Sequence, residues 1–376
     1  MIKKQLAKYG ILFLSVLIGL ASCKSKEEIG LKDAFKDTFL IGVAMNSDQI
    51  QQKNKDVNDL ILKHYNSIVA ENCMKSGIIQ PVEGEFDFSL SDQLVCFGEK
   101  HKMFIVGHTL IWHSQVPKWF FVDEQGKDVS PEVLKQRMKT HIHTIVNRYK
   151  GRVNGWDVVN EAIEDDGSWR NSKFYQILGE DFVKLAFQYA HEADPEAELY
   201  YNDYNMAKEG KRDAVVRMVT KLKEQGITVN GIGMQGHLMM DFPEVEDFEK
   251  SIIAFGSTGA KVMITELDLS ALPNPFSTEG AEISLRADYE EKMNPYPNGL
   301  SKEQTEAQYK KFVDFFNVFI RQKDIVSRVT LWGVSDKDSW KNDWPIKGRT
   351  DYPLLFDRDY KPKPVVETIM KMTPNP

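Results

Sequence analysis

Three cysteines in 376 residues are too few for a disulfide framework. No His/Cys cluster has metal-ligand spacing, so no metal is expected. Basic excess is also missing. The 48 Lys and Arg residues stand against 55 Asp and Glu, a net charge of −7, which argues against nucleic acid as a partner. No GxGxxG follows the first strand-like segment, which disfavours a dinucleotide-binding sheet, and no other cofactor is implied. From Asp37 onward there is no Gly/Ser-rich or Pro-rich linker and no low-complexity segment. Long apolar runs are absent apart from Ile11 to Leu20, so no other stretch is expected to span a bilayer.

That one run has the marks of an export signal. Lys3 and Lys4 precede it, and LASC, Leu20 to Cys23, follows it. Residues 1–22 therefore read as a signal peptide that takes no part in the fold. The Leu-Ala-Ser-Cys ending resembles a bacterial lipobox, which implies lipidation of Cys23 and a stable membrane tether. The alternative is an ordinary signal peptide that happens to contain a cysteine. The expected location is the outer membrane, on its cell-surface or periplasmic face. Residues 23–36 read as a polar tether and residues 37–376 as the folded domain. Cys73 and Cys96 read as buried free thiols.

Within that domain, short apolar runs alternate with longer stretches of helical period. FLIGVAM, SIVAEN, MFIVGHTL, VNGWDVVNE, AELYYND, IGMQGH, KVMITELD and RVTLWGVSD are the apolar runs. Each precedes a helix-like segment. Most are continuously apolar, as a parallel sheet covered by helices requires. About eight such units indicate the α/β class, as a single (β/α)8 TIM barrel.

Polar residues recur at one end of these runs. Asn72, His108, Glu161, Asp203, His237, Glu266 and Asp336 all fall at or near the C-terminal end of a strand. In this architecture that is the face on which active sites are built. A lone acid at a strand end is usually solvated or caps the next helix. The same pattern on nearly every strand describes a pocket. Glu161 and Glu266 close the fourth and seventh runs, so they face each other across the barrel mouth. Two facing carboxylates are the minimum equipment for glycoside hydrolysis. Asp268 lies two residues from Glu266 on the same strand face, and His237 ends the neighbouring strand. A His–Asp pair beside Glu266 favours its ionised form. Glu266 is thus the expected nucleophile and Glu161 the expected acid/base, with Asn160 placed to hydrogen-bond the sugar 2-hydroxyl.

At these residues the chain resembles the endo-β-1,4-xylanases of glycoside hydrolase family 10. AENCMK, GHTLIWHSQVPKW, RYKGRVNGWDVVNEAI, LYYNDYN, GIGMQGH, ITELDL and LWGVSDKDSW appear in the family's order, between about Phe39 and Tyr360. The resemblance implies retention, with Glu161 and Glu266 in the roles just argued. It implies that Glu71, Asn72 and Lys75 bind sugars on the non-reducing side. It places His108, Trp112, Gln115, Asn160, Gln235 and His237 around the attacked sugar, with Trp332 and Trp340 as its walls. Tyr204 and Asn205 fall toward the leaving group. Tryptophans suit the flat apolar faces of sugars, while amides, Lys and His suit their hydroxyl rims. The expected partners are xylan and xylo-oligosaccharides.

Trp119, Trp156 and Trp169 read as structural, His141 and His143 as surface or packing residues, and His113 as a supporting hydrogen-bonder. The long segment Pro273 to Gly299 reads as a loop flanking the leaving-group side. Two other functions fit the same pattern in part. One is a related barrel β-glycanase acting on glucan or mannan. The other is a non-catalytic surface lipoprotein that captures xylan, which would keep the tryptophans and could lose the carboxylates.

Overall fold

The apolar runs form strands, and every pairing between neighbours is parallel. The computed structural model describes residues 29–273 and 292–373. The strands are β1 Leu40–Met45, β2 Ser67–Ala70, β3 Phe104–Trp112, β4 Gly155–Asn160, β5 Glu198–Asp203, β6 Gly231–Met234, β7 His237–Met239, β8 Lys261–Ser270 and β9 Val326–Leu331. Their order is β6-β5-β4-β3-β2-β1-β9-β8-β7, and β6 also pairs with β8. That last pairing closes an eight-strand barrel, as the alternation indicated. The expected sixth run is split. Gly236 turns the chain with φ +79°, which a side chain would resist. The short β7 beyond it pairs with β8, setting His237 opposite Asp268.

A helix of seven or more residues follows each barrel strand: Lys55–His64, Ser89–Lys100, Pro131–Arg148, Asp181–Ala193, Glu209–Glu224, Val245–Gly256, Lys302–Arg321 and Pro364–Met370. Local signals start several of them. Asn54 and Ser301 accept hydrogen bonds from first-turn N–H groups, and Pro131 and Pro364 occupy the first helical position, where a missing N–H costs nothing. Covered by these helices, β2 and β4 are buried along their whole length.

Side chains alternate between two cores. Ala44, Val69, Val106, Tyr200, Met263 and Trp332 fill the barrel interior. The larger cluster, including Trp156 and Tyr201, lies between strands and helices. Gly107 shows how tight this packing is: a Cβ there would come within 2.0 Å of the Trp156 ring. Trp156 is therefore structural, as expected. Trp119 donates to the Gln80 carbonyl and Trp169 packs on Tyr175 and Phe182.

Two expectations need correction. The packed body begins before residue 37: Leu31–Ala34 is a short helix, Leu31 and Phe35 are fully buried, and Phe35 stacks on Phe39 at 4.9 Å. The charged neighbours in LKDAFKD masked an apolar pair spaced one helical turn apart. Secondly, Cys73 is buried but Cys96 is exposed, because it lies on the outer face of its amphipathic helix, where Arg152 reaches it at 3.7 Å. Of the loop expected at 273–299, residues 274–291 lie outside the described residues.

Candidate active site

The two glutamates are held by different kinds of donor. Glu161 follows β4 directly. Its Oε2 accepts from Trp112 Nε1 at 2.9 Å and its Oε1 from Gln235 Nε2 at 2.9 Å. Glu266 lies within β8, one-twentieth exposed. Its Oε1 accepts from Asn202 Nδ2 at 2.9 Å, and its Oε2 lies 3.2 Å from His237 Nε2. The other nitrogen of His237 is 3.0 Å from Asp268 Oδ2. Asp268 also accepts from Trp340 Nε1 at 3.0 Å and Lys341 Nζ at 2.5 Å.

The electrostatics follow from these contacts. Burial alone would raise Glu266, but the hydrogen bond from His237, the nearby His108 and the Asn202 amide outweigh it and hold the carboxyl below its usual range. Burial would likewise strip the proton from His237. Asp268 and Glu266 overcome that and raise the imidazole to about 9. At neutral pH His237 is thus a cation that donates to both carboxylates. Asp268 is held low against burial by His237 and Lys341.

Asn160 and Asn202 join the two halves. The Thr265 hydroxyl donates to Asn202 Oδ1, which turns Asn202 Nδ2 toward Glu266 and toward Asn160 Oδ1 at 3.0 Å. Gln235 Nε2 also approaches Asn160 Oδ1, at 3.3 Å. Two donors facing one atom identify it as the carbonyl oxygen. The opposite amide orientation would let the NH2 donate to the Asn202 carbonyl at 3.1 Å and offer Trp112 Nε1 an acceptor at 3.3 Å, but it would set that NH2 against the Asn202 and Gln235 amide donors, and the Trp112 N–H already donates to Glu161. Asn160 Nδ2 therefore faces Glu161 Oε1, at 3.4 Å.

On the side of β2 and β3, Lys75 Nζ lies 2.9 Å from Asn72 Oδ1 and 5.1 Å from the centre of the Trp112 ring. Asn72 Nδ2 donates to Glu71 Oε1. Burial lowers Lys75, opposed by Glu266, Glu71 and Glu161, and burial raises Glu71 against the pull of Lys75. His108 is buried with Nδ1 2.9 Å from Asp157 Oδ2 and sits edge-on to Trp332 at 5.3 Å. Tyr204 and Asn205 lie beyond β5: Arg170 donates to the Tyr204 hydroxyl, and Asn205 Nδ2 donates to Asp165. Gln115 stands apart from this network. It is exposed on the loop after β3, where its carbonyl accepts from Gly77 N–H at 2.7 Å.

Two residues expected to line the pocket do not. Asp203 is fully buried against Lys211 at 3.0 Å, and Asp336 against Lys363 at 2.7 Å. The period of two along a strand explains Asp203. Asn202 and Tyr200 face inward, so Tyr201 and Asp203 must face the helices. The same alternation would have singled out Asn202, which the sequence reading passed over. It also missed Arg170, Lys341 and Trp344. Trp344 packs on Trp340 at 5.2 Å, and only its place in the KDSWKNDW stretch hinted at that. His113 is not the hydrogen-bonder expected: its Nδ1 lies 4.0 Å from Glu161 Oε2, too far for a hydrogen bond, and its ring packs edge-on to Trp112. His141 is a packing residue, hydrogen-bonded to Gln80 and pushed down to about 3 by burial. Among the described residues, no group of three or more His, Cys, Asp or Glu is arranged to hold a metal ion, and no helix is long and apolar enough to cross a membrane.

Comparison with known proteins agrees with this geometry. The family model described as glycosyl hydrolase family 10 matches residues 30–372. The chain is 51% identical over 342 residues to endo-1,4-beta-xylanase A of Xylanibacter ruminicola, covering 91% of this chain and 93% of that protein. It is 39% identical over 338 residues to an endo-1,4-beta-xylanase of Geobacillus stearothermophilus, covering 89% and 96%. A solved endoxylanase of the same family, retrieved from sugarcane soil metagenome, superposes with a TM-score of 0.86 at 45% identity, covering 92% of this chain and all of that one.

Proposed function

The chain belongs to glycosyl hydrolase family 10, and from that premise we infer that it is an endo-acting β-1,4-xylanase working by the family's retaining mechanism. The observation that carries the assignment of roles is the contrast between the two carboxylates. Glu266 is held ionised by a protonated His237, as a nucleophile must be. Glu161 is held by the neutral N–H groups of Trp112 and Gln235. Such donors steady a carboxyl oxygen whether or not the group carries a proton, which suits a residue that alternates between acid and base.

Glu266 attacks the anomeric carbon as Glu161 gives its proton to the departing glycosidic oxygen, breaking the C–O bond and forming a glycosyl-enzyme ester. Glu161, now a carboxylate, takes a proton from water. The resulting hydroxyl attacks the same carbon, releasing Glu266 and restoring the configuration. Asn160 Nδ2, between Glu161 and the network, serves the sugar 2-hydroxyl. Glu71, Asn72 and Lys75 hold sugars on the non-reducing side. Trp112, Trp332 and Trp340 wall the reacting sugar, together with His108 and Gln235. Gln115 reaches the sugar from its loop, and Tyr204 and Asn205 meet the leaving group.

The LASC stretch supports export with lipid on Cys23, and a polymeric substrate favours a surface location. Mass spectrometry of the membrane-extracted protein tests this. An acylated N-terminal Cys23 peptide, lost in Cys23→Ser, fits. An unmodified Cys23 in released protein removes the anchor.

The function is tested by a product profile of the soluble form, starting after Cys23, on glucuronoxylan, arabinoxylan, carboxymethyl cellulose and mannan. Short xylo-oligosaccharides from the xylans alone, absent with Glu161→Gln, are expected. Binding without release from any xylan would point to a capture protein instead. Release from cellulose or mannan in place of xylan would point to another glycanase.

A further inference from the structure

The backbone at Glu161 adopts a conformation that a glutamate disfavours. Its φ is +60°, in the left-handed region that costs a non-glycine residue roughly 1–2 kcal/mol. Such strain persists only where surrounding contacts over-determine it. The contacts here come from a cluster that the proposed chemistry does not use. The Ala162 N–H donates to the Tyr201 hydroxyl at 3.1 Å. The Ile163 N–H donates to Asp203 Oδ2 at 3.4 Å. The Tyr201 hydroxyl in turn donates to the same Asp203 oxygen. Asp203 Oδ1 accepts from the Tyr204 N–H at 2.9 Å and from Lys211 Nζ at 3.0 Å. Tyr201, Asp203 and Lys211 have no exposed surface. Outside the cluster, Asn202 accepts the Glu161 N–H at 2.9 Å and Arg170 Nε donates to the Glu161 carbonyl at 2.8 Å.

We propose that the buried Tyr201–Asp203–Lys211 cluster is the positioning device for the acid/base, holding the left-handed turn that aims the Glu161 carboxyl at the glycosidic oxygen. Four donors converge on the two oxygens of Asp203, so only a carboxylate satisfies them all. An amide would turn its NH2 toward donors on either side. Burial works against the charge and raises Asp203 to about 6, with Lys211 pulling it back and Glu161 pushing it further up. The lysine is what keeps the aspartate ionised in a site closed to bulk solvent. Asp165, 3.1 Å from Lys211, and Arg170 complete the charges around it. The cluster touches no sugar; it acts through the peptide groups of Ala162 and Ile163, which follow the glutamate. It lies on the helix-facing side of β5, opposite Asn202, so one strand steadies both carboxylates from its two faces.

The inference rests on Glu161 being the acid/base, and the test separates the two. Tyr201→Phe and Asp203→Asn would be compared with wild type and Glu161→Gln in kcat/KM on two substrates. A xylo-oligosaccharide needs its leaving oxygen protonated; a dinitrophenyl β-xylobioside does not. Glu161→Gln should lose the first activity far more than the second. If it loses neither, or both alike, the role of Glu161 fails whatever the cluster does. With that role upheld, each cluster variant should lose about tenfold or more on the oligosaccharide and less than about threefold on the activated glycoside, within the range that general acid catalysis supplies. Equal losses on both substrates would mark a merely structural role and overturn the proposal, as would no loss on either. If Asp203→Asn does not fold, Tyr201→Phe decides alone, since it removes one hydroxyl and no charge.

Discussion

Replacing His237 with glutamine tests what holds Glu266, the proposed nucleophile, ionised. In the native cluster one imidazolium sits between two carboxylates, 3.2 Å from Glu266 and 3.0 Å from Asp268. Those carboxylates raise His237 from an ordinary 6.5 to about 9 against its burial. At about 1.4 kcal/mol per unit, this is about 3 kcal/mol of mutual stabilisation, counted once for the cluster because the lowering of Glu266 and Asp268 is the same interaction seen from the other side. The folded value lies above the unfolded one. The stabilisation is therefore complete below about 6.5 and disappears as pH rises toward and through 9. Wild-type melting temperature should fall over that window, and His237→Gln should be less stable at pH 6 with a flatter decline. The catalytic consequence appears at the other end of the pH range. Glu266 loses a charge-assisted hydrogen bond of about 1.5–3 kcal/mol, so the acid limb of kcat/KM should move up by about one to two pH units. The assay is kcat/KM on an aryl β-xylobioside from pH 3 to 9. An acid limb that stays in place would refute the argument that His237 keeps Glu266 ionised, even if the overall rate fell.

Further outcomes are expected from the same geometry. Glu266→Ala should lose roughly 10³-fold or more in kcat, above about 4 kcal/mol, and added azide should yield a glycosyl azide of inverted configuration. Full residual activity without rescue would remove Glu266 from the role. Lys75→Ala removes a buried cation held against Asn72 and the Trp112 face. It should raise KM on oligosaccharides about tenfold, the scale of one charge-assisted hydrogen bond, while an aryl xyloside lacking the outer sugars should be little affected. Trp156→Ala empties a fully packed site beneath Gly107 and should cost about 3–5 kcal/mol in urea unfolding, with activity per folded molecule retained. A loss below about 1 kcal/mol would contradict the packing described.

Local pattern was enough for the barrel itself. Continuous apolar runs can be strands only if both faces are buried, here one under helices and one in the barrel interior, and eight of them with helical stretches between leave few other closures. Glu161, Glu266, His237 and Asp268 were legible for a related reason: a strand's last residues open onto the barrel mouth, so a polar residue there is explained by the site. The short segment Leu31–Ala34 escaped because four residues hold too little period to outweigh their charges. Asp203 and Asp336 share the strand-end signature with Glu161 and Glu266, yet they face lysines from later in the chain. For Asp203 the period of two gives the direction, once Tyr200 and Asn202 are seen to face inward; Asp336 lies beyond the end of β9, where no strand period reveals the lysine that meets it.

What the sequence determined by itself is the class of fold and which acids gather at the barrel mouth, because both follow from periodicity and from residue type at strand ends. Tertiary structure alone decided how those groups are held. Glu266 is ionised because His237, His108 and Asn202 approach it from separate strands, with His237 itself held by Asp268. Glu161 is aimed because Tyr201, Asp203 and Arg170 meet behind its turn. These are contacts between residues far apart in sequence. Their strength depends on distance and burial, and neither exists until the barrel has closed.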